Sequence, residues 1–469
     1  MSARILIAVT HLLGIGHLVR ARQLAQALAG AGHQVTLASG GMPDGKVAAS
    51  YRFVQLPPVR TQGTDFRNLL DEDGRPAASE RLAARREQLV ALAQELSPDI
   101  VITEHFPFGR RQLAGEFLTL IAAAREANPH ALVLSSIRDV LVAPQPPERL
   151  AETTERIATL FDAVLVHGDR SVLPLEASWP VTPEIAGKLV YTGYLAEPPR
   201  FSDRPAPIRL SPSGEGEAKD RIKSAGSPSP LWGGDRGGGR KVGTNSSGHG
   251  PSGCYNPPCT QSLAPHPHTR PHKREGRSSS DRRFAEVSTR ERGSPREPIN
   301  DILVSGGGSS AALPLFETTL AAARLLPRRS FHLLIGRGIA EADFAALRQS
   351  APDNARVEWA RPDFPTLLAA CALSISQAGY NTVLDLLQAA RPALLVPFDA
   401  GNETEQALRA AALERTGLAR VVQSSAGPQA LAAAIETALA QGAPPVAKVD
   451  LDGAAGSVAA VARLLASRA

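Results

Sequence analysis

The 469-residue chain is expected to fold as an α/β protein with two doubly wound, Rossmann-like domains, whose mainly parallel sheets face each other across a cleft. Three observations predict this. Short apolar strands alternate with helical periodicity in two separate runs; a segment of different composition lies between the runs; and glycine-rich turns stand where strand passes to helix in each run. The expected layout is an N-terminal domain over residues 1–202, an insert over 203–299 and a C-terminal domain over 300–469.

In the first run, residues 4–9 (RILIAV) form an apolar strand, residues 18–29 place apolar side chains at helical spacing before Gly30 and Gly32, and residues 34–38 form the next strand. The pattern repeats as strand 100–103, helix 111–127, strand 131–135, helix 147–161 and strand 163–167. The opening strand is too short, and too soon broken by His11 and Gly14, to be a signal peptide. The second run reads strand 301–304, helix 313–325, strand 331–335, helix 341–349, strand 356–359, strand 372–375, a helix carrying Asp385, strand 393–396, and helices 403–415, 428–439 and 456–466. No stretch reaches the roughly 18 apolar residues of a membrane span.

Composition separates the middle segment from the rest. Residues 203–298 hold 17 Lys+Arg against 10 Asp+Glu, while the whole chain holds 51 against 46, which leaves 34 against 36 elsewhere. The basic character therefore belongs to one segment, and the folded parts give no reason to expect nucleic acid as a partner. That segment is rich in Gly, Pro, Ser and Arg, offers few periodic apolar residues to bury, and reads as a disordered insert or translated repetitive DNA. Cys254, Cys259, His266 and His272 have spacing too short for a zinc finger, and GDRGGGRK at 234–241 lacks the Ser or Thr and the flanking strand of a phosphate loop. Three cysteines fit a reducing compartment, so a cytoplasmic protein is expected, with peripheral contact at the inner membrane face left open.

The folded runs hold the candidate chemistry. In THLLGIGH, Gly14 and Gly16 let a ligand approach the backbone, and His17 stands at the start of the first helix, either facing the cleft or packing. The full dinucleotide fingerprint is absent and no acid closes the second strand, so a nicotinamide cofactor is not expected. Gly306, Gly307 and Gly308 follow the first strand of the second run, and Gly336 follows the next one; bare backbone there can meet a diphosphate. Asp385 either accepts from a vicinal diol of ribose or favours its helix dipole. Asn402, Glu403, Glu405 and Gln406 either contact sugar hydroxyls or cap the next helix.

Together the GxGH loop, SGGG, SQAGYNTVLDL, RPALLVPF and NETEQ resemble the family 28 glycosyltransferases of the GT-B type, with a C-terminal domain like that of the peptidoglycan N-acetylglucosaminyltransferases. The first run, with YRFVQLPPV, PDIVITEHFPFG and SSIRDVL, is similar to a group of bacterial predicted glycosyltransferases, and the resemblance leaves out about residues 203–298. It implies a nucleotide-sugar donor, commonly a UDP-sugar, on the C-terminal domain and an acceptor on the N-terminal one. It places Gly307 and Gly308 at the phosphates, Gly379 and Thr382 at the turn and helix start beside them, with Gln377 and Asn381 in the same block, and Asp385 on ribose, where the peptidoglycan enzymes carry Glu.

The expected chemistry is inverting hexosyl transfer with His17 as base. Glu104, His105 and Asp139 are the substitutes for it. No DxD-type acidic pair stands at a strand end, so neither a metal nor another cofactor is expected, and amides would meet the leaving diphosphate. A nucleotide-sugar hydrolase or 2-epimerase on the same fold, or a non-catalytic nucleotide-sugar sensor, remains the competing reading.

Overall fold

The computed structural model describes residues 2–12, 14–45, 50–62, 65–142, 146–196, 301–308, 310–399, 404–444 and 449–468. The expectations for 203–299 lie outside the described residues, as do those for Asn402 and Glu403. Residues 1–204 and 294–469 belong to one compact unit.

The strands are β1 (Arg4–Val9), β2 (Gln34–Ser39), β3 (Arg52–Gln55), β4 (Arg60–Gln62), β5 (Asp65–Leu70), β6 (Ile100–Glu104), β7 (Leu132–Arg138), β8 (Ala163–His167), β9 (Leu189–Tyr191), β10 (Asp301–Ser305), β11 (Ser330–Ile335), β12 (Ala355–Trp359), β13 (Leu373–Ser376), β14 (Ala393–Leu395) and β15 (Arg420–Val421). The helices are α1 (Gly16–Gly30), α2 (Ser79–Leu96), α3 (Ala114–Ala127), α4 (Pro147–Leu160), α5 (Pro183–Ala186), α6 (Leu313–Leu325), α7 (Glu341–Ser350), α8 (Phe364–Ala370), α9 (Tyr380–Ala389), α10 (Glu405–Arg415), α11 (Pro428–Gln441) and α12 (Gly453–Ala466).

Two parallel sheets result, in the orders β3-β2-β1-β6-β7-β8-β9 and β12-β11-β10-β13-β14-β15, with β4 and β5 as a separate antiparallel hairpin. In each sheet the chain steps outward from the first strand and then returns to its other side. The switch points are β1/β6 in the first sheet and β10/β13 in the second, where open α/β sheets bind ligands.

Central strands are buried on both faces, which is why they read as continuous apolar runs. Leu6 and Ala8 of β1 pack with Leu89 of α2 and Phe117 of α3, whereas Ile5 and Ile7, one pleat away, pack with Leu18 and Leu24 of α1. Each fully buried Leu, Ile or Phe side chain among these contributes about 1.5–3 kcal/mol. In the second sheet Ile302 and Val304 pack under α6 and α11, and Leu303 packs with Val383 of α9 and Ala410 of α10. That last cluster also takes in Val140, Val172 and Leu173, so apolar contact joins the first run to the second.

One boundary differs from the sequence expectation. Helix α12, assigned from sequence to the C-terminal domain, sends Ala460 and Val461 into the core of the first sheet beside α1. Its glycines allow this: a Cβ on Gly456 would stand 1.9 Å from the Thr192 carbonyl oxygen, and one on Gly453 would stand 2.6 Å from the Tyr194 carbonyl carbon. Elements β3, β4, β5, α2, α5, β9, α8 and β15 also exceed what periodicity alone suggested, being short, edge-located or polar. Among the described residues no helix is long and apolar enough to cross a membrane.

Candidate functional site

At the first switch point, α1 follows β1 directly, with Gly14 at φ +65° in the connecting loop and His17 in the first turn of the helix. Its Nδ1 lies 2.9 Å from Oε1 of Glu104, the last residue of β6. Arg20, one turn along on the same face of α1, donates to that same oxygen and also lies 3.1 Å from His17 Nδ1. A carboxylate only accepts, so the tautomer that satisfies the cluster has Nδ1–H donating to Glu104, and Nε2 keeps its lone pair. Burial first, then the charges of Arg110, Arg20 and Arg138, hold the His17 imidazole well below its ordinary pKa, which keeps that base form through neutral pH. The side chain is 17% exposed, so it is reachable.

Glu104 itself is held from behind. Ser136 on β7 donates 2.6 Å to its Oε2, which leaves the serine oxygen to accept from His167 Nε2 at 3.1 Å. His167 Nδ1 then accepts from the Thr192 hydroxyl at 2.9 Å, and burial pushes His167 down to about 3, so the relay stays neutral. Glu104 is thus the partner of His17 and not its substitute. His105 stands with its ring 5.1 Å from that of His17, and burial lowers it likewise.

Asp139 is placed differently from the sequence expectation. Both of its oxygens accept from Arg409 of α10, at 2.8 and 2.9 Å, with both side chains almost wholly buried. A carboxylate committed in this way is no free base; it ties β7 to α10. Burial alone would lower the Arg409 guanidinium, but Asp139 holds it above its ordinary value. Arg409 also donates 2.8 Å to the Ala378 carbonyl, in the turn that follows β13.

At the second switch point, Gly306–Gly308 follow β10 and residues 377–379 follow β13, with Ser305 and Ser376 paired in register. Gly307 has φ +67°, and a Cβ on Gly336 would stand 2.0 Å from its carbonyl oxygen, so the loop rests directly on the end of β11. Gln377 donates 3.2 Å to the Ala311 carbonyl and links the two loops. Helix α9 begins at Tyr380 with no side-chain cap, so its first amides are left for a ligand or solvent. Asn381 is exposed, Thr382 and Asp385 are half-buried, and Asp385 is not without a partner.

Two expected donor contacts have other duties. Gln406 Oε1 accepts from the Ala378 and Phe398 amides, both at 3.1 Å, and so clamps the ends of β13 and β14. Glu405 accepts from Arg138 of β7.

The two switch points meet. A Cβ on Gly16 would lie 3.7 Å from Asn381 Nδ2, and the Tyr380 hydroxyl donates 3.0 Å to the His167 carbonyl. Arg20 and Arg409 stand 5.4 and 5.8 Å from the Tyr380 ring centroid. Sequence reasoning did not single out Arg20, Ser136, His167 or Arg409; only Arg20 had a signal, its spacing of three from His17 on one helix face. Among the described residues no group of three His, Cys, Asp or Glu side chains is arranged to hold a metal ion.

Residues 302–450 match the model of the glycosyltransferase family 28 C-terminal domain. The chain carries a family 28 domain on a GT-B fold. That domain contains β10 to β15 and the whole of the second switch point. Over 144 residues the chain is 35% identical to the UDP-N-acetylglucosamine--N-acetylmuramyl-(pentapeptide) pyrophosphoryl-undecaprenol N-acetylglucosamine transferase of Brucella anthropi, covering 29% of this chain and 38% of that one. The corresponding Brucella suis protein is 34% identical over 138 residues, covering 28% and 36%. The match therefore spans well under half the length of these curated relatives. Among solved structures, the calicheamicin glycosyltransferase CalG4 superposes with a TM-score of 0.54 at 14% identity, covering 99% of this chain and 98% of that one. Acinetobacter baumannii MurG does so with 0.51 at 15% identity, covering 98% and 99%. At such identity these two show the fold, and the sites flanking the β1/β6 and β10/β13 switch points are those of this chain's own residues.

Proposed function

We propose that this protein is a glycosyltransferase that moves a hexosyl group from a nucleotide-sugar, in first place a UDP-sugar, to an acceptor hydroxyl with inversion. The observation that carries the reading is the His17–Glu104 pair, 2.9 Å apart at the first switch point, with the uncapped start of α9 beside it. A neutral imidazole held by a carboxylate needs only a hydroxyl proton to take.

In the reaction, the acceptor oxygen forms its bond to the anomeric carbon while the bond from that carbon to the nucleoside diphosphate breaks. The hydroxyl proton passes to His17 Nε2, and Glu104, charge-paired through Nδ1–H, stabilises the imidazolium. The diphosphate takes the electron pair, and its growing charge is met by the amides of Gly306–Gly308 and the first turn of α9. Asp385 and Thr382 are the donor contacts on that helix, with the Asp385 carboxylate assigned to ribose hydroxyls. Amides and a helix dipole supply the stabilisation without a bound cation, so transfer should persist in EDTA.

The test is a thermal-shift panel of UDP- and dTDP-sugars, followed by UDP release with and without added acceptors. A donor at a hundredfold excess over its dissociation constant raises apparent stability by about 2.7 kcal/mol. Release that needs an acceptor supports transfer, release without one points to the hydrolase, and binding with no turnover points to the sensor.

A further inference from the structure

Among the described residues, the charges around the first switch point pair off with one exception. Arg20 is matched by Glu104, Arg138 by Glu405 and Arg409 by Asp139. Arg110 is matched by no carboxylate among the described residues: its one side-chain hydrogen bond runs from Nε to the Thr10 carbonyl, at 2.7 Å. That bond fixes its side chain between the end of β1 and the turn that follows β6, and leaves both terminal nitrogens of the guanidinium without an acceptor among the described residues. Arg110 is half-buried, and burial has already drawn it down to about 10, with only the more distant Glu104 in opposition. A part-buried cation whose fork of donors meets no protein acceptor favours an oxyanion, which answers both the charge and the hydrogen bonds at once.

We propose that Arg110 is the anion-recognition residue of the acceptor site, and that the acceptor carries a phosphate or carboxylate close to the hydroxyl that is glycosylated. This rests on the reading of His17 as the base and of the first sheet as the acceptor side. A neutral sugar or lipid alcohol could accept the hydrogen bonds but would leave the charge unmet. The donor diphosphate has its own amides on the second sheet. Position also couples recognition to chemistry: among the charges that disfavour protonation of His17, that of Arg110 is the largest. An acceptor oxyanion on Arg110 offsets this charge, so His17 gains proton affinity when the right acceptor is in place.

The experiment uses the full chain and its Arg110→Gln and Arg110→Lys variants, each checked for an unchanged melting transition. Inorganic phosphate and acetate are titrated calorimetrically into protein saturated with UDP, and UDP is titrated by itself. One of the anions should bind the wild type, should lose at least about tenfold in affinity in Arg110→Gln and less in Arg110→Lys, while UDP affinity stays the same in all three. Whether phosphate or acetate binds tighter assigns the group. In the wild type that anion should also raise the apparent pKa of His17 followed by NMR, and in Arg110→Gln it should not. Equal anion affinity in wild type and Arg110→Gln, or no anion binding at all, overturns the proposal. So does a loss of UDP affinity in Arg110→Gln equal to that for the anion, since the charge would then serve the donor. Failure of UDP to bind the wild type sinks the donor reading instead, and the anion titrations without UDP still decide the role of Arg110.

Discussion

His17 owes its orientation and its neutral form to neighbours on β6, α1 and β7. Glu104 orients it, Arg20 fixes Glu104, and burial with nearby positive charge keeps it neutral. Because the folded-state pKa lies below the ordinary value of about 6.5, the base form persists as pH falls through that value. The expected kcat/KM profile is flat through neutral pH, with its acid limb displaced below 6.5; a limb at or above 6.5 would remove His17 from the role. His17→Ala should lower turnover by about 10²–10⁴ with donor affinity intact, measured by calorimetry alongside UDP release. The buried Asp139–Arg409 pair makes a different prediction, about stability. Asp139→Asn strands the Arg409 charge and should cost about 3–5 kcal/mol in urea unfolding, whereas Asp139→Leu combined with Arg409→Met should recover most of it. In the sequence, His17 and Glu104 were each visible, one after a glycine loop and one at a strand end. Their pairing was not, since 87 residues separate them, and Asp139 and Arg409 are 270 apart. Arg409 in particular sits in a polar helix whose sequence gives no sign that this face is buried.

Among the elements, the glycine loops do two physically different jobs that one pattern conceals. Gly336 is required by the fold, because its Cβ would meet the Gly307 carbonyl at 2.0 Å. Gly308 is exposed, with nothing among the described residues within 4 Å of an added Cβ, so packing does not require it to be bare. Gly308→Ala should therefore leave the unfolding midpoint within about 0.5 kcal/mol of wild type while weakening UDP binding by about tenfold. A Gly308→Ala protein that binds UDP as well as wild type would show that this loop does not touch the diphosphate. Gly336→Ala should lower both stability and UDP affinity. The parallel strands were legible because burial on both faces leaves only apolar residues along them. Helix α12 was legible as a helix but not in its partner: an Ala-rich apolar face says that something covers it, and only the close approach at Gly453 and Gly456 places it on the first sheet.

At the scale of the whole molecule, the two sheets are joined by contacts independent of the 205–298 segment. The polar ties are Arg409 to Asp139, Arg138 to Glu405 and Tyr380 to His167, and α12 returns to the first sheet, with Leu195 bridged to Asp452. These ties set the relative placement of the His17 loop and the start of α9, so the connection between Ala196 and Asp301 need only be long enough to reach. Replacing residues 205–298 with a Gly/Ser linker of about 20 residues supplies a typical end-to-end distance of about 25 Å. Loop closure alone then favours the shortened chain by about 1 kcal/mol, since the entropic cost grows with the logarithm of loop length. The expected outcome is a melting temperature equal to or slightly above that of the full chain, unchanged UDP affinity, and a net charge that moves from +5 to −2, with loss of any salt-sensitive retention on anionic vesicles. A lower melting temperature, or loss of UDP binding, would mean that the segment contributes folding energy or site residues of its own, and the low apolar content that argues for its dispensability would have misled.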